Sequence, residues 1–312
     1  MLELSQKLEG AIFGLLVGDA LGVPYEFHGP HSLPPSQQIE YLPPEGFDRA
    51  HHGMPIGTWS DDGAQALCLL ASLLHCKRFD ADDFGQRLRS WYSSGYMAVD
   101  GFVFDVGITT RAAINAMSDG VPVLQAGPDD EYSNGNGALM RVLPLALWHR
   151  GSDVELVSDA HLQSQLTHGH LRSRACCALY CLWARRILRG SSDPWNEAVE
   201  SLQDIYDGNE DAETELKWHI RPDDEYPCKG SGYVVDCLHS ARWAVENHAT
   251  YTEVVRAAIK LGNDTDTTAC VAGGIAGLRE GVAAIPSRWR HKLRSREMVF
   301  PLIEQLAEHL AE

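Results

Sequence analysis

Apolar residues recur at intervals of three and four along most of the chain. Leu8, Ile12, Leu15 and Leu16 share one helical face, as do Leu67, Leu70 and Leu74, then Leu179, Leu182 and Ile187, then Val254, Val255, Ala258 and Ile259. A period of about 3.6 residues places such positions on one side of an α-helix. Sustained alternation of the strand type is hard to find, so the pattern predicts an all-α protein. Small residues punctuate several of these helices, notably in Gly10-Ala11-Ile12-Phe13-Gly14 and Ala272-Gly273-Gly274-Ile275-Ala276-Gly277. Glycine inside a helix costs about 1 kcal/mol relative to alanine. Its presence there implies helices that approach closely, and a many-helix bundle is the expected architecture.

Three stretches fall outside the helical pattern: residues 28–57, rich in Pro and His; residues 126–137; and residues 204–232, polar and acidic. Long irregular loops in compact proteins are commonly functional. None has the Gly/Ser composition of a flexible linker. The helical texture is alike on both sides of each, so residues 1–312 are expected to form one domain.

The net charge of -17 opposes any broad grip on nucleic-acid phosphates, and no stable nucleic-acid partner is expected. An anionic ligand must then be held locally, by backbone N–H groups, helix N-termini or metal ions. The 8 cysteines lie mostly in apolar helical stretches (Cys68, Cys76, Cys176, Cys177, Cys181 and Cys270), without a C-x-x-C pair. That usage reads as buried free thiols in a reducing compartment. The opening Met1-Leu2-Glu3-Leu4-Ser5-Gln6-Lys7 has no basic segment leading into an apolar core, and no apolar run is read as reaching membrane-spanning length. The expectation is a cytoplasmic protein, monomeric and without membrane contact.

Candidate chemistry gathers at two predicted helix starts. Ser60-Asp61-Asp62-Gly63 directly precedes the apolar run from Ala64 to Leu70, and Asp264-Thr265-Asp266-Thr267-Thr268 directly precedes the small-residue helix from Ala269. Each motif alone is accounted for by capping, with a hydroxyl or carboxylate accepting backbone N–H groups at the positive end of the helix dipole. Together they present four carboxylates and several hydroxyls, the ligand chemistry of hard cations. Four carboxylates in one place repel one another unless metal ions neutralise them. A calcium loop of the EF-hand kind counted from Asp264 fails, with Ala269 where Gly is required and Ile275 where a bidentate Glu is required. The D-x-D-x-T pattern of aspartyl-phosphate phosphatases follows a buried strand early in its domain, whereas a helical segment precedes it here.

A third motif, Ser133-Asn134-Gly135-Asn136-Gly137-Ala138-Leu139-Met140-Arg141, is a Gly-rich turn leading into an apolar segment. It either cradles a diphosphate through backbone N–H groups or is a tight Asn-Gly turn. A β-branched residue at Gly135 is expected to weaken phosphate binding, by steric block or by denying the turn a positive φ. Thr167-His168-Gly169-His170 has no Cys or Glu pattern nearby that would complete a zinc site. The acidic run 207–215 reads as solvated surface.

Assembled in chain order, these motifs resemble the ADP-ribosylglycohydrolase family, and most closely its dinitrogenase-reductase-activating branch. The resemblance covers nearly the whole chain. It rests on Gly10 to Gly14, Gly18-Asp19-Ala20-Leu21-Gly22 with Glu26, Ser60-Asp61-Asp62, Phe104-Asp105-Val106-Gly107, the turn from Ser133 to Arg141, Thr167-His168, Gly232-Tyr233-Val234-Val235-Asp236 and Asp264-Thr265-Asp266-Thr267. It implies an orthogonal helical bundle with a central cleft, in which Ser60, Asp61, Asp62, Asp264, Asp266 and Thr267 hold two Mg²⁺ or Mn²⁺ ions with Asp266 as the bridge. Ser133, Asn134, Gly135, Asn136 and Gly137, with His168, would hold a diphosphate, and Gly232 and Tyr233 would border the adenosine or distal ribose. Two departures stand out: Ser60 and Gly63 replace the threonines that flank the paired aspartates in many members, and Asn134 replaces an aromatic residue found in some.

The implied activity is hydrolysis at the ribose anomeric carbon, releasing ADP-ribose from an ADP-ribosylated protein. Glu26 is the expected general base or water-positioning group, with Asp62 as the alternative. The segment carrying Asp105 and Gly107 resembles one in arginine-directed members, where a carboxylate could face the departing guanidinium. Otherwise Asp105 caps the helix entering Thr109-Thr110-Arg111. Rival readings are cleavage of serine, nucleic-acid-base or small-conjugate linkages, and a non-catalytic ADP-ribose reader.

Overall fold

The glycines of the first predicted helix are four residues apart, at 10, 14, 18 and 22, and therefore lie in one row. In the computed structural model, which describes residues 2–311, that row is a seam between two buried helices. A β-carbon on Gly10, Gly14 or Gly18 would stand 2.3 Å from Gly277 O, 2.4 Å from Gly273 O and 2.1 Å from Ala269 O respectively. The partners descend as the glycines ascend, so the two helices run antiparallel with their backbones in contact.

Around this pair the described residues form fourteen α-helices and no strand. They are α1 (Leu4–Gly22), α2 (Asp61–Cys76), α3 (Ala81–Ser94), α4 (Ile108–Ser118), α5 (Leu143–Trp148), α6 (Asp153–Gln165), α7 (Leu171–Arg189), α8 (Pro194–Tyr206), α9 (Glu210–Thr214), α10 (Val234–Asn247), α11 (Tyr251–Lys260), α12 (Thr265–Glu280), α13 (Ser287–Lys292) and α14 (Phe300–Ala311). The fold is all-α, as the periodicity predicts. One isolated antiparallel bridge, Gly135 to Tyr233, ties the Gly-rich turn to the start of α10.

Two expectations are corrected. Leu4–Tyr25, comprising α1 and the turn after it, is 22 residues of high mean hydropathy and is long and apolar enough to cross a membrane. In this structure 94% of its most apolar window is buried, so that hydropathy comes from packing on all sides inside the bundle. Residues 204–232 are also less irregular than their polarity suggests, since they hold the end of α8, all of α9 and a π-helical turn over Glu215–Ile220. The Asn209 side chain accepts from Ala212 N–H at 3.2 Å and starts α9. Ala212, Leu216 and Ile220, spaced by four, are buried beneath its acidic outer face. All eight cysteines are free thiols, with Cys76 and Cys228 half-buried and the rest buried.

The loop before α2 is held at its start and midway along it. Phe27 N–H donates to Asn263 O and Asn263 N–H to His28 O, both at 2.7 Å. Tyr25 and Glu40 exchange hydrogen bonds of 2.8 and 3.0 Å. These contacts bring the segment carrying Glu26 beside the residue that precedes Asp264.

Candidate active site

At the start of α2, capping is performed by residues other than the paired aspartates. Ser60 Oγ accepts from Asp62 N–H at 3.3 Å. Asp19, buried in the last turns of α1, accepts from Ser60 N–H at 2.9 Å and from Gly63 N–H at 2.8 Å. At the start of α12, Asp264 occupies the N-cap position but makes no side-chain capping bond. Capping therefore accounts for Ser60 and leaves the carboxylates of Asp61, Asp62, Asp264 and Asp266 unexplained.

Those carboxylates converge. Ligand atoms of Glu26, Asp264 and Asp266 lie within 4.8 Å of one another, and Thr267 Oγ1 donates to Asp62 Oδ1 at 3.3 Å. Asp61 accepts from Gln65 Nε2 at 3.0 Å and Asp264 from Asn136 Nδ2 at 2.9 Å. Asp266 is fully buried, yet neither of its oxygens has a protein donor, and Asp62 Oδ2 has none either. Burial first, and then mutual repulsion, pushes Asp61, Asp62 and Asp266 well above the usual carboxylate range. Desolvation, Asp105, Asp264 and Asp62 push Glu26 up to about 10. An acceptor-only group buried without a donor is costly. Oxygen-liganded divalent cations answer that cost and hold the carboxylates ionised, so the donor set fits the ions implied by the resemblance.

A cavity of about 270 Å³ opens over this cluster. Asp61, Asp62, Asp264 and Thr267 line it together with Glu26, and Asp105 and Gly107 line it as well. Gly135, Asn136, Gly137, His168 and Gly232 also contribute to its lining. His168 is buried, and desolvation lowers it to about 3, so its ring is neutral. Thr167 Oγ1 accepts from Arg141 Nη2 at 2.8 Å and lies 2.9 Å from His168 Nδ1. The hydroxyl proton is available to Nδ1, and in that tautomer the ring proton is carried by Nε2, the nitrogen nearest Gly135. The turn and His168 together offer N–H donors to an anion.

Three residues expected to touch ligand stand outside this lining. Ser133 Oγ donates to Asp130 at 2.6 Å. Asn134 accepts from Ser173 Oγ at 2.9 Å and donates to Glu131 O at 2.9 Å. Tyr233 OH accepts from Arg172 Nη1 at 3.2 Å. Each side chain holds the turn or its neighbour in place. Gly135 has a φ of -70°, so the turn makes no demand for a positive φ there, and of the two expected effects of a larger residue only steric block of a ligand remains. Capping by Asp105 is not observed either: Gly107 is the N-cap of α4 and no side chain caps it, while Asp105 itself is left-handed at φ 56°.

Sequence reasoning missed three contributors. Asp19 was visible as a lone carboxylate in an apolar helix. Arg141, fully buried, donates to Gln65 Oε1 at 2.8 Å and so links Asp61, through Gln65, to Thr167 and His168. His51, whose Nε2 is 2.5 Å from Glu26 Oε2, carried no signal within its Pro- and His-rich loop.

Comparison with known proteins agrees with this geometry. The family model described as ADP-ribosylglycohydrolase matches residues 2–312. The ADP-ribosylarginine hydrolase Tri1 of Serratia proteamaculans (strain 568) is 31% identical over 310 residues, spanning 97% of this chain and 80% of that protein. The ADP-ribosyl-[dinitrogen reductase] glycohydrolase of Rhodospirillum rubrum is 29% identical over 298 residues, spanning 91% and 89%. A solved structure described as an ADP-ribosylglycohydrolase-related protein complex superposes with a TM-score of 0.78 at 31% identity, covering 98% of this chain and 99% of its own. The chain belongs to the ADP-ribosylglycohydrolase family.

Proposed function

We propose that this protein is a metal-dependent hydrolase that releases ADP-ribose from ADP-ribosylated arginine on proteins by cleavage at the ribose anomeric carbon. Its family acts on ADP-ribosylated substrates and releases ADP-ribose. The observation that carries the metal dependence is the buried Asp266 carboxylate, with both oxygens unpartnered beside Asp62 Oδ2. Ser60, Asp61, Asp62, Asp264, Asp266 and Thr267 would hold two divalent ions, Mg²⁺ or Mn²⁺. When bound, these supply positive charge that orients a hydroxyl-bearing ribose and stabilises developing negative charge.

The chain's own groups divide the remaining work. Backbone N–H groups of the turn around Gly135 and Gly137, with His168 Nε2–H, receive the diphosphate. Glu26 positions the attacking water and takes its proton, a role open to it once bound cations offset the burial and carboxylate repulsion that hold its proton in the metal-free protein. Asp105, which lines the cavity beside Glu26 and His51, meets the guanidinium of the acceptor. The Serratia proteamaculans relative, whose name specifies ADP-ribosylarginine, supports that choice of acceptor.

The test is a turnover panel with arginine-linked, serine-linked and DNA-linked ADP-ribose, each with and without chelator. Release of free ADP-ribose is expected from the arginine-linked substrate and is expected to stop on chelation. Binding without release identifies a reader, and preferential release from another linkage overturns the choice of acceptor.

A further inference from the structure

His51 returns from the long loop before α2 onto the two carboxylates to which separate tasks are assigned above. Its Nε2 lies 2.5 Å from Glu26 Oε2 and 3.9 Å from Asp105 Oδ1. The surrounding chain builds this contact. Ala50 N–H donates to Pro24 O at 3.0 Å and Met54 N–H to His51 O at 2.8 Å, while Arg49 Nη2 reaches Met54 O at 2.6 Å. The loop's return is thus pinned to the segment that carries Glu26. His51 is held in the left-handed region at φ 51°, a conformation unfavourable for a residue with a β-carbon. Its ring meets Phe104 edge-on with centroids 5.2 Å apart and leans on Phe27 at 5.6 Å.

Glu26 needs such a partner. Asp105, Asp264 and Asp62 all repel a carboxylate at its position, and a glutamate side chain has three rotatable bonds by which to turn away. We propose that His51 is a positioning residue for the hydrolytic step, donating from Nε2 to Glu26 Oε2 and so fixing the orientation in which the Glu26 carboxylate meets the attacking water. One imidazole nitrogen occupies one carboxylate oxygen and leaves the other for the reaction. A contact that pre-orients a reacting group acts on turnover more than on ligand affinity. The inference rests on the reading of Glu26 given above.

The experiment compares His51→Leu, His51→Gln and Glu26→Gln on whichever linkage the wild type cleaves, with ADP-ribose affinity measured in parallel. His51→Leu removes the donor at similar bulk and is expected to lower kcat by about 10- to 100-fold, the range of one charge-assisted hydrogen bond, with ADP-ribose Kd changed by no more than about twofold. Glutamine can return an N–H near the position of Nε2, so His51→Gln is expected to recover most of the loss. In the Glu26→Gln background, His51→Leu should add no further loss, because the partner it orients is gone. Wild-type kcat in His51→Leu, a His51→Gln variant as impaired as His51→Leu, or losses that multiply in the double variant would each overturn the proposal. An impaired Glu26→Gln beside a fully active His51→Leu removes only the role of His51, whereas a fully active Glu26→Gln removes the reading of Glu26 as well.

Discussion

Gly22 and Asp266 meet backbone to backbone: a β-carbon on Gly22 would stand 2.4 Å from the Asp266 Cα and 2.5 Å from its N. Thr265 Oγ1 adds a hydrogen bond of 2.8 Å to Gly22 O. The end of α1 thereby fixes the first turn of α12, which carries the buried carboxylate without a protein donor. Gly22→Ala has no flexible neighbour to displace, so the backbones must part. A loss of about 1–3 kcal/mol is expected, the usual cost of overpacking. Thermal unfolding with and without Mn²⁺ checks this, since the variant should have a lower Tm and also a smaller metal-induced rise. A variant equal to wild type in both respects would contradict the close approach.

The metal-free protein should respond to pH through its buried carboxyls. Desolvation raises Asp19 from 3.8 to about 7, and desolvation with Asp105 raises Glu26 from 4.5 to about 10. The folded state holds these protons more tightly than the unfolded chain. Their stabilising contribution is therefore complete below the unfolded values and is lost as pH rises through the folded ones. In chelator, Tm should fall from about pH 4 to about pH 10, most steeply below about pH 7, where both groups contribute. Divalent ions bind the ionised carboxylates, so the rise in Tm on adding Mg²⁺ or Mn²⁺ should grow over the same interval. Asp266→Asn should abolish that rise and reduce turnover by at least about 100-fold. Calorimetry across the pH range provides the measurement, and a metal-induced rise independent of pH would refute the argument.

How much of this was legible depends on whether a residue's role is set by its neighbours in sequence or across the fold. The period of α1 and the two acidic helix starts are local patterns, and both were readable. The four-residue glycine row implied a close partner helix, although only the fold identifies α12 as that partner. Asp19 and His51 act on groups 41 and 25 residues away, and no local pattern marks such pairs. Residues 210–220 were hidden for a different reason: three buried apolar positions spaced by four are easily lost among acidic and polar neighbours. Asn134 and Asn136 show the limit of motif reading, since two asparagines of one turn, separated by a single glycine, serve Ser173 and Asp264 respectively.

Gly137 is the more constrained glycine of the turn. A β-carbon there would meet His168 Cε1 at 2.9 Å and Thr110 Oγ1 at 3.1 Å, whereas one on Gly135 would reach His168 Nε2 at 3.4 Å. Gly137→Val should displace the His168 ring and lower ADP-ribose affinity by about tenfold or more, with a smaller effect from Gly135→Ala. Titration calorimetry with ADP-ribose ranks the two. The reverse order, in folded variants, would mean that the diphosphate is held elsewhere.

Asp105 is the residue on which the choice of acceptor turns. Its carboxylate lines the cavity and its side chain is 23% exposed, with no capping bond that the fold depends on. The backbone there is left-handed, a region that asparagine tolerates better than most residues, so Asp105→Asn changes charge with little change of conformation. A carboxylate facing a guanidinium stabilises only the arginine-linked substrate. Its replacement should therefore reduce kcat/KM on that substrate by about 10- to 1000-fold, the order of one lost charge-assisted contact, while ADP-ribose affinity is unchanged. Any activity on serine-linked ADP-ribose should survive, because that leaving group carries no cation for Asp105 to meet. The measurement is kcat/KM on both linkages in wild type and variant. An equal loss on each would reassign Asp105 to the reaction common to all linkages, through its proximity to His51 and Glu26, and would leave the arginine preference without support from this site.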